Sequence, residues 1–470
     1  MNNNDEILRV NLNLQKKPKS FPSLSAAARV WAKIGILSFG GPAGQIAMMH
    51  RTLVEEKRWI DEERFLHALN YCMILPGPEA KQLATYIGWL LHKTVGGLIA
   101  GVLFIIPGAA VMLGLSLIYV FFSDMPLVGA IFLGIKAAVL IVVVEAVIRI
   151  GRRALTSFYS LSIAFFSFIA IFVFSVPFPF IIILAGLFGL LRELFYSKKT
   201  LSGPDNLGLV STKDTLINKM EAAGALDHTY PSLKRSIKFL IVFLLLWFVP
   251  ILLLAAAFGE KSVFFSQALF FSKLAVVTFG GAYAVLAYMA QQAVEIFGWL
   301  SPEEMLDGLG LAETTPGPLI LVTQFVGFLS AYRFAPDLNP ALAGALGSLI
   351  TLWVTFVPCF LWIFLGAPYI EYLRQNAYLT SALSGITAAV VGVVLNLAVW
   401  FGMHVNFENL HEIKFLGILI KLPELASANL PSVGLTILAA VMLMIFKAGV
   451  VRTLAICATV GFLLSLFRTL

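Results

Sequence analysis

Residues 33–41 read Lys-Ile-Gly-Ile-Leu-Ser-Phe-Gly-Gly and residues 273–281 read Lys-Leu-Ala-Val-Val-Thr-Phe-Gly-Gly, so the chain carries one pattern twice. At a constant offset of 240, Trp59 falls on Trp299, Glu63 on Glu303 and Pro76-Gly77-Pro78 on Pro316-Gly317-Pro318; from 33 to 78 the copies share 15 of 46 residues without a gap. At an offset of 251, Pro107 falls on Pro358 and Gly134-Ile135 on Gly385-Ile386. A duplicated apolar chain whose Gly and Pro breaks recur at matching places has the sequence signature of a secondary transporter.

The bilayer is the implied solvent. Charged residues make up 13% of the chain and apolar ones 59%, with a mean hydropathy of +0.90; a soluble domain carries about 25% charged residues. Thirteen apolar segments can be drawn: 25–49, 64–91, 95–121, 127–148, 155–173, 176–195, 237–258, 264–291, 303–331, 339–365, 378–403, 431–447 and 450–468. Alternating them from a cytoplasmic N-terminus puts Lys93, Arg149, Arg152, Arg153, Arg192, Lys198 and Lys199 inside and Ser123-Asp124 and Val176-Pro177 outside, as the positive-inside rule requires. The net charge of +7 lies mostly in the N-terminus, the short loops and one linker. No Lys/Arg run is interleaved with exposed aromatics, which argues against nucleic acid as a partner.

The expected organisation is a polar cytoplasmic segment 1–24 without a signal-peptide core, a first repeat 25–196, a solvated cytoplasmic linker 197–236, a connecting transmembrane helix 237–258 and a second repeat 259–470. The connecting helix has no partner in the first half. Six segments return the chain to the cytoplasm, so this added crossing starts the second copy from the other side and inverts it. The fold class expected is an all-α polytopic membrane protein of two inverted helical repeats. Arg374, Lys447 and Arg452 then fall inside.

Four segments cannot be plain helices. Gly40-Gly41-Pro42 and Gly280-Gly281 interrupt the first of each copy, and Pro76-Gly77-Pro78 and Pro316-Gly317-Pro318 the second. Proline removes a donor and clashes with the preceding turn, and the residue before it avoids helix. Each arm is left with about 12–15 residues, half to two-thirds of a bilayer core. Re-entrant hairpins and broken helices that cross both satisfy this pattern.

Irregular backbone at membrane depth survives where protein or a water-filled cavity surrounds it. The start of a helix arm there exposes N–H groups and the positive end of the helix dipole, which together attract anions. After Pro78 come Glu79, Lys81 and Gln82; the equivalent turn after Pro318 is uncharged, and Thr323 and Gln324 follow it. Lys81 is unfavourable at a helix start, so it serves either a bound anion or the membrane surface. Thr85, Gln82, Thr323 and Gln324 mark interhelical hydrogen bonds or a permeation path. Lys33 and Lys273 occupy equivalent places before Phe-Gly-Gly, as site groups or as interfacial lysines. Lys136 and Glu145, opposite Thr387 and Asn396, pair elsewhere in the bundle or join a relay; Glu313, opposite Met73, and Glu79 are further coupling candidates. Trp59 and Trp299 read as interfacial anchors. Cys72, Cys359 and Cys457 lie in apolar segments without metal-ligand spacing. The chain lacks a Walker loop, a dinucleotide fingerprint and a triad pattern, so an enzyme is not expected, nor a cofactor.

At Phe39-Gly40-Gly41-Pro42, Pro76-Gly77-Pro78 and their echoes Phe279-Gly280-Gly281 and Pro316-Gly317-Pro318, the chain resembles the chromate ion transporter family in its long, two-domain form. The second copy departs from the first, with Ala282 in place of Pro42 and no charge after Pro318. The resemblance implies export of chromate from the bacterial cytoplasm across the inner membrane, with sulfate as analogue and competitor. A divalent anion leaving an inside-negative cell gains about 4.6 kcal/mol per 100 mV. Membrane potential therefore suffices as a driving force, and proton exchange is compatible with it. Transport of sulfate or another anion is the alternative; a membrane enzyme or scaffold is a third reading. A homodimer is compatible with the sequence.

Overall fold

Apolar helices form nearly all of the chain in a computed structural model that describes residues 22–123, 125–196, 215–222, 224, 226–279, 282–335, 338–370, 376–415 and 418–469. Expectations for 1–21, Asp124, 197–214 and Arg374 lie outside the described residues. Seven of the described helices are long and apolar enough to cross a membrane. The chain is a polytopic all-α membrane protein. Helix α9 (Leu233–Phe258) shows this plainly: Leu245, Leu252 and Leu253 face outwards, as lipid-facing side chains do.

The first repeat opens with α1 (Leu24–Leu37), α2 (Gly41–His50), α3 (Glu62–Ile74) and α4 (Glu79–Phe122). The chain reverses inside α4 at His92 (φ −138°) and Lys93 (φ 55°), leaving arms 79–91 and 94–122. Glycine makes this reversal tight, because a Cβ on Gly88 would lie 2.6 Å from the Gly96 carbonyl oxygen. Then follow α5 (Pro126–Ala154), α6 (Phe158–Phe172), α7 (Phe178–Tyr196) and the short α8 (Leu216–Ala222).

The second repeat has α10 (Val263–Val277), α11 (Ala282–Ala290), α12 (Pro302–Thr314), α13 (Val322–Phe334), α14 (Pro340–Gly366) and α15 (Ala377–Asn406). An antiparallel hairpin of β1 (Leu410–Phe415) and β2 (Ile418–Pro423) follows, pairing His411 with Leu422, before α16 (Leu430–Ala440) and α17 (Val450–Thr469). The hairpin is absent from the sequence reading.

Contacts at the two ends of the bundle settle the broken segments as re-entrant hairpins. His92 Nε2 donates to the Pro22 carbonyl at 2.8 Å, and His228 Nε2 to that of Trp89 at 2.9 Å. The Leu216 and Ile217 amides donate to the Arg58 and Trp59 carbonyls, and Arg64 pairs with Glu221. Residues 22, 58–64 and 89–92 thus share one end, so α1–α2 and α3–(79–91) each enter and return. In the second repeat Gln267 donates to the Gly327 carbonyl, Arg333 donates to the Trp299 carbonyl and pairs with Glu304, and Phe270 and Phe271 pack on Trp299. These residues gather at the opposite end. Arm 94–122 starts from the first end and α14 from the second, returning to the first where the hydroxyls of Tyr369 and Ser236 lie 3.3 Å apart. The repeats are inverted.

Two expectations change. Residues 215–222 and 226–230 dock rather than float: Ile217, Met220 and Leu226 are buried, because an apolar residue every few positions suffices to hold a short helix on the bundle end. Trp59 and Trp299 are also buried, Trp299 stacking on Phe297 at 4.3 Å, so they close hairpin ends rather than float in the headgroup layer.

The repeats also interlock. A Cβ on Gly134 (α5) would lie 2.0 Å from the Cys457 carbonyl oxygen on α17, and one on the equivalent Gly385 (α15) 2.4 Å from that of Ala185 on α7. Each repeat's long helix thus takes the other repeat's last helix as a close neighbour.

Candidate functional site

The tips of the hairpins meet in the interior, across the repeats. The Gly77 amide donates to the Thr278 carbonyl at 2.8 Å, and the Gly317 amide to the Ser38 carbonyl at 2.9 Å. Ser38 and Thr278 stand immediately before Phe39 and Phe279. Gln45 of α2 also donates to the Gly317 carbonyl. A Cβ on Gly41 would lie 3.7 Å from the Tyr283 hydroxyl, which joins the first and third breaks. Gly280 and Gly281 lie outside the described residues.

Helix starts differ by location. At the bundle ends Ser23, Asp61, Ser262 and Ser301 each accept an amide of the first turn. The buried starts after Pro78 and Pro318, and the partly exposed one after Gly40, have no side-chain cap. Pro42 lies in the first turn of α2, where its missing donor costs least. After Pro318 the chain takes one 3-10 turn, Leu319–Leu321, before α13. Buried helix starts without caps are places where a ligand is expected to satisfy the amides.

Around Pro76-Gly77-Pro78 the second repeat supplies one wall. A Cβ on Gly77 (φ +124°) would lie 2.8 Å from Cys359 Sγ and 2.9 Å from Gln82 Nε2, so only glycine fits. Gln82 donates to the Pro76 carbonyl at 2.8 Å, and Thr85 to that of Lys81 at 2.9 Å. Lys81 is 0% exposed and its Nζ has no hydrogen-bond partner. It sits 3.1 Å from the centroid of the Phe360 ring and 6.0 Å from that of Phe356. Thr355 Oγ1, on the same helix α14, is also buried without a partner.

Around Pro316-Gly317-Pro318 the first repeat supplies the wall, and it packs closer. A Cβ on Gly108 would lie 2.1 Å from the Pro316 carbonyl oxygen. Gln324 donates to the Ala109 carbonyl at 2.9 Å and Thr323 to that of Ile320 at 2.8 Å. At an offset of 251, Gly108 and Ala109 are the counterparts of Cys359 and Phe360. One site therefore carries a lysine, a thiol and an aromatic ring, and its twin is small and uncharged. Beside it, Glu313 is 3% exposed; its Oε1 accepts from Tyr283 at 2.8 Å, and its Oε2 has no partner. Among the described residues no group of His, Cys, Asp or Glu could hold a metal ion.

A model of the chromate transporter family matches residues 26–190 and 265–462, the two repeats themselves. The chain belongs to the chromate transporter family. It is 31% identical over 383 residues to the chromate transport protein of Pseudomonas aeruginosa, covering 80% of each chain. It is 26% identical over 391 residues to a probable chromate transport protein of Synechococcus elongatus, 83% of this chain and 86% of that one. The chromate transport protein of Cupriavidus metallidurans is 25% identical over 385 residues, 77% of this chain and 78% of that one. No solved structure matches.

In this member of the family the structure draws together Gly41, Pro76, Gly77, Lys81, Gln82, Pro316, Gly317, Gln324 and Glu313. It does not bring Lys33 and Lys273 to them. Both are exposed on α1 and α10, with Lys273 5.9 Å from the Tyr288 ring, because each falls on the outward side of its arm. Glu145 is half-exposed and lies 3.6 Å from Arg149, one turn along its own helix. Lys136 lies 3.2 Å from Asp307, which also accepts from Tyr119 at 2.8 Å; this buried set ties α5, α12 and α4 together. Glu79, partly buried, starts the arm that carries Lys81. The sequence reading misses Ser38, Thr278, Tyr283, Asp307, Thr355 and Phe360. The repeat alignment holds a signal for two of them: hydroxyl residues stand at the same place before both Phe-Gly-Gly motifs.

Proposed function

We propose that the chain exports chromate from the cytoplasm, binding the dianion at the uncapped helix start after Pro78. The observation that carries this reading is Lys81, one turn into that helix, whose side chain is fully buried and whose Nζ has no hydrogen-bond partner. An uncompensated buried charge is costly to maintain, and an anion held by it and by the first-turn amides removes the cost. Arg51, Lys57, Arg58, Arg64 and Lys93 mark the first end of the bundle as cytoplasmic. Transport proceeds as the interlocked hairpins rock between openings to either end. The potential favours exit of a dianion by about 4.6 kcal/mol per 100 mV. Proton exchange, where it contributes, runs through Glu313. Sulfate shares the charge and shape of chromate and competes for the same site.

The test is chromate flux by the purified protein in liposomes under a set potential, with sulfate and molybdate as competitors. Efflux that follows the potential and falls to background in Lys81→Ala is the expected result. Full flux in folded Lys81→Ala would overturn the site.

A further inference from the structure

Phe360 stands where the first repeat has Ala109, at the wall of the site that carries the lysine. Its ring faces the Lys81 ammonium at 3.1 Å from the centroid. Three donors nearby are committed elsewhere, while Gln82 Oε1 and Thr355 Oγ1 are buried without partners. The Cys359 thiol donates to the Thr355 carbonyl at 3.2 Å, the Gln82 amide to Pro76, and the Gly77 amide to Thr278. The ring face is the contact that the ammonium makes while the site is empty. A ring and an oxyanion compete for the same ammonium, because hydrogen bonds to an oxyanion turn the N–H groups away from the ring.

We infer that Phe360 is a positioning residue for substrate release: its ring holds the Lys81 ammonium in the empty site, and an oxyanion binds only by drawing the ammonium off that ring. This rests on Lys81 as the oxyanion ligand. The ring lowers affinity for every anion, speeds release of the dianion, and keeps the site from holding weakly attracting monoanions.

Phe360→Leu removes the ring and keeps the bulk apolar, whereas Phe360→Tyr keeps a ring face. In liposomes under a set potential, Phe360→Leu is expected to lower the KM for chromate about tenfold and to lower kcat. Phe360→Tyr is expected to retain both values within about twofold. Chromate binding to the detergent-solubilised full chain, read by thermal shift, supplies a Kd where a variant does not transport; Phe360→Met serves if the leucine variant does not fold. In a Lys81→Ala background, where binding is expected to be lost, the Phe360 substitutions are expected not to restore it. An unchanged or raised Kd in Phe360→Leu, with binding lost in Lys81→Ala, overturns the role of the ring and leaves the lysine site standing. Parental binding in folded Lys81→Ala overturns both.

Discussion

The Gly77 amide reaches across the repeats to the Thr278 carbonyl at 2.8 Å, and 240 residues later the Gly317 amide returns the bond to Ser38 at 2.9 Å. Each proline-flanked tip is thus completed by the hairpin of the other copy. The chain's two halves build one site and its twin between them. Movement at either tip must shift a backbone hydrogen bond to the opposite repeat, which gives the inverted halves a direct mechanical link.

The two glycines should not be equally replaceable. Gly77 combines φ +124° with a thiol and an amide within 3 Å of any Cβ, whereas at Gly317 (φ +86°) the nearest atom is 3.3 Å away. Gly77→Ala is expected to cost about 3 kcal/mol and Gly317→Ala about 1–2 kcal/mol. Thermal unfolding in detergent should rank them in that order, and the reverse order would show that the crossed tips are not as tight as the geometry requires.

Lys81 is expected to separate activity from stability. Replacing a buried, unpaired charge with an apolar chain of similar length removes a desolvation penalty, so Lys81→Met should stabilise the protein by about 1–3 kcal/mol while abolishing chromate flux. Lys33→Met and Lys273→Met, on exposed faces, should change stability by less than about 0.5 kcal/mol and leave flux intact. Thermal shift and flux on the three variants decide the matter; loss of flux in Lys33→Met would return the exposed lysines to the site.

The interruptions were legible in the sequence because Gly and Pro leave few backbone options, and duplication shows which breaks are deliberate. Inversion was legible from loop charge and the parity of the connecting helix. Sequence could not separate crossing from re-entrant arms: the choice is made by contacts such as His92 to Pro22, between residues far apart in the chain. Phe360 was hidden for a similar reason. An aromatic residue in an apolar helix reads as core, and only its place over Lys81 distinguishes it. Lys33 and Lys273 misled because a repeated lysine fits an interfacial position in both copies as well as it fits a site.

Asp307 should behave as a structural clasp. It is 5% exposed, lies 3.2 Å from Lys136 and accepts from Tyr119 at 2.8 Å. Asp307→Asn leaves a partly buried ammonium without its counter-charge and is expected to cost about 2–3 kcal/mol. Lys136→Met combined with Asp307→Asn should recover most of that loss, since no charge then stays buried and the amide oxygen still accepts from Tyr119. A double-mutant cycle on thermal stability measures the coupling, and simple additivity of the single changes would mean the pair does not act as one.

Glu313 is the carboxylate best placed to trade a proton for substrate charge. It sits three residues before Pro316, held by the Tyr283 hydroxyl, with Oε2 buried, unpartnered and 3.9 Å from where a Cβ on Gly41 would stand. Glu145 is half-exposed beside Arg149, where solvent and the guanidinium already satisfy it. Glu313→Gln keeps the hydrogen bond from Tyr283 and removes the titratable group. With the potential clamped at zero and a pH gradient imposed across the liposome, parental protein should accumulate chromate along the gradient and Glu313→Gln should not. Both should respond alike to an imposed potential, and Glu145→Gln should match the parent in each assay. A pH-gradient response that persists in Glu313→Gln would remove Glu313 from coupling and leave the potential as the sole driving force assigned to this chain.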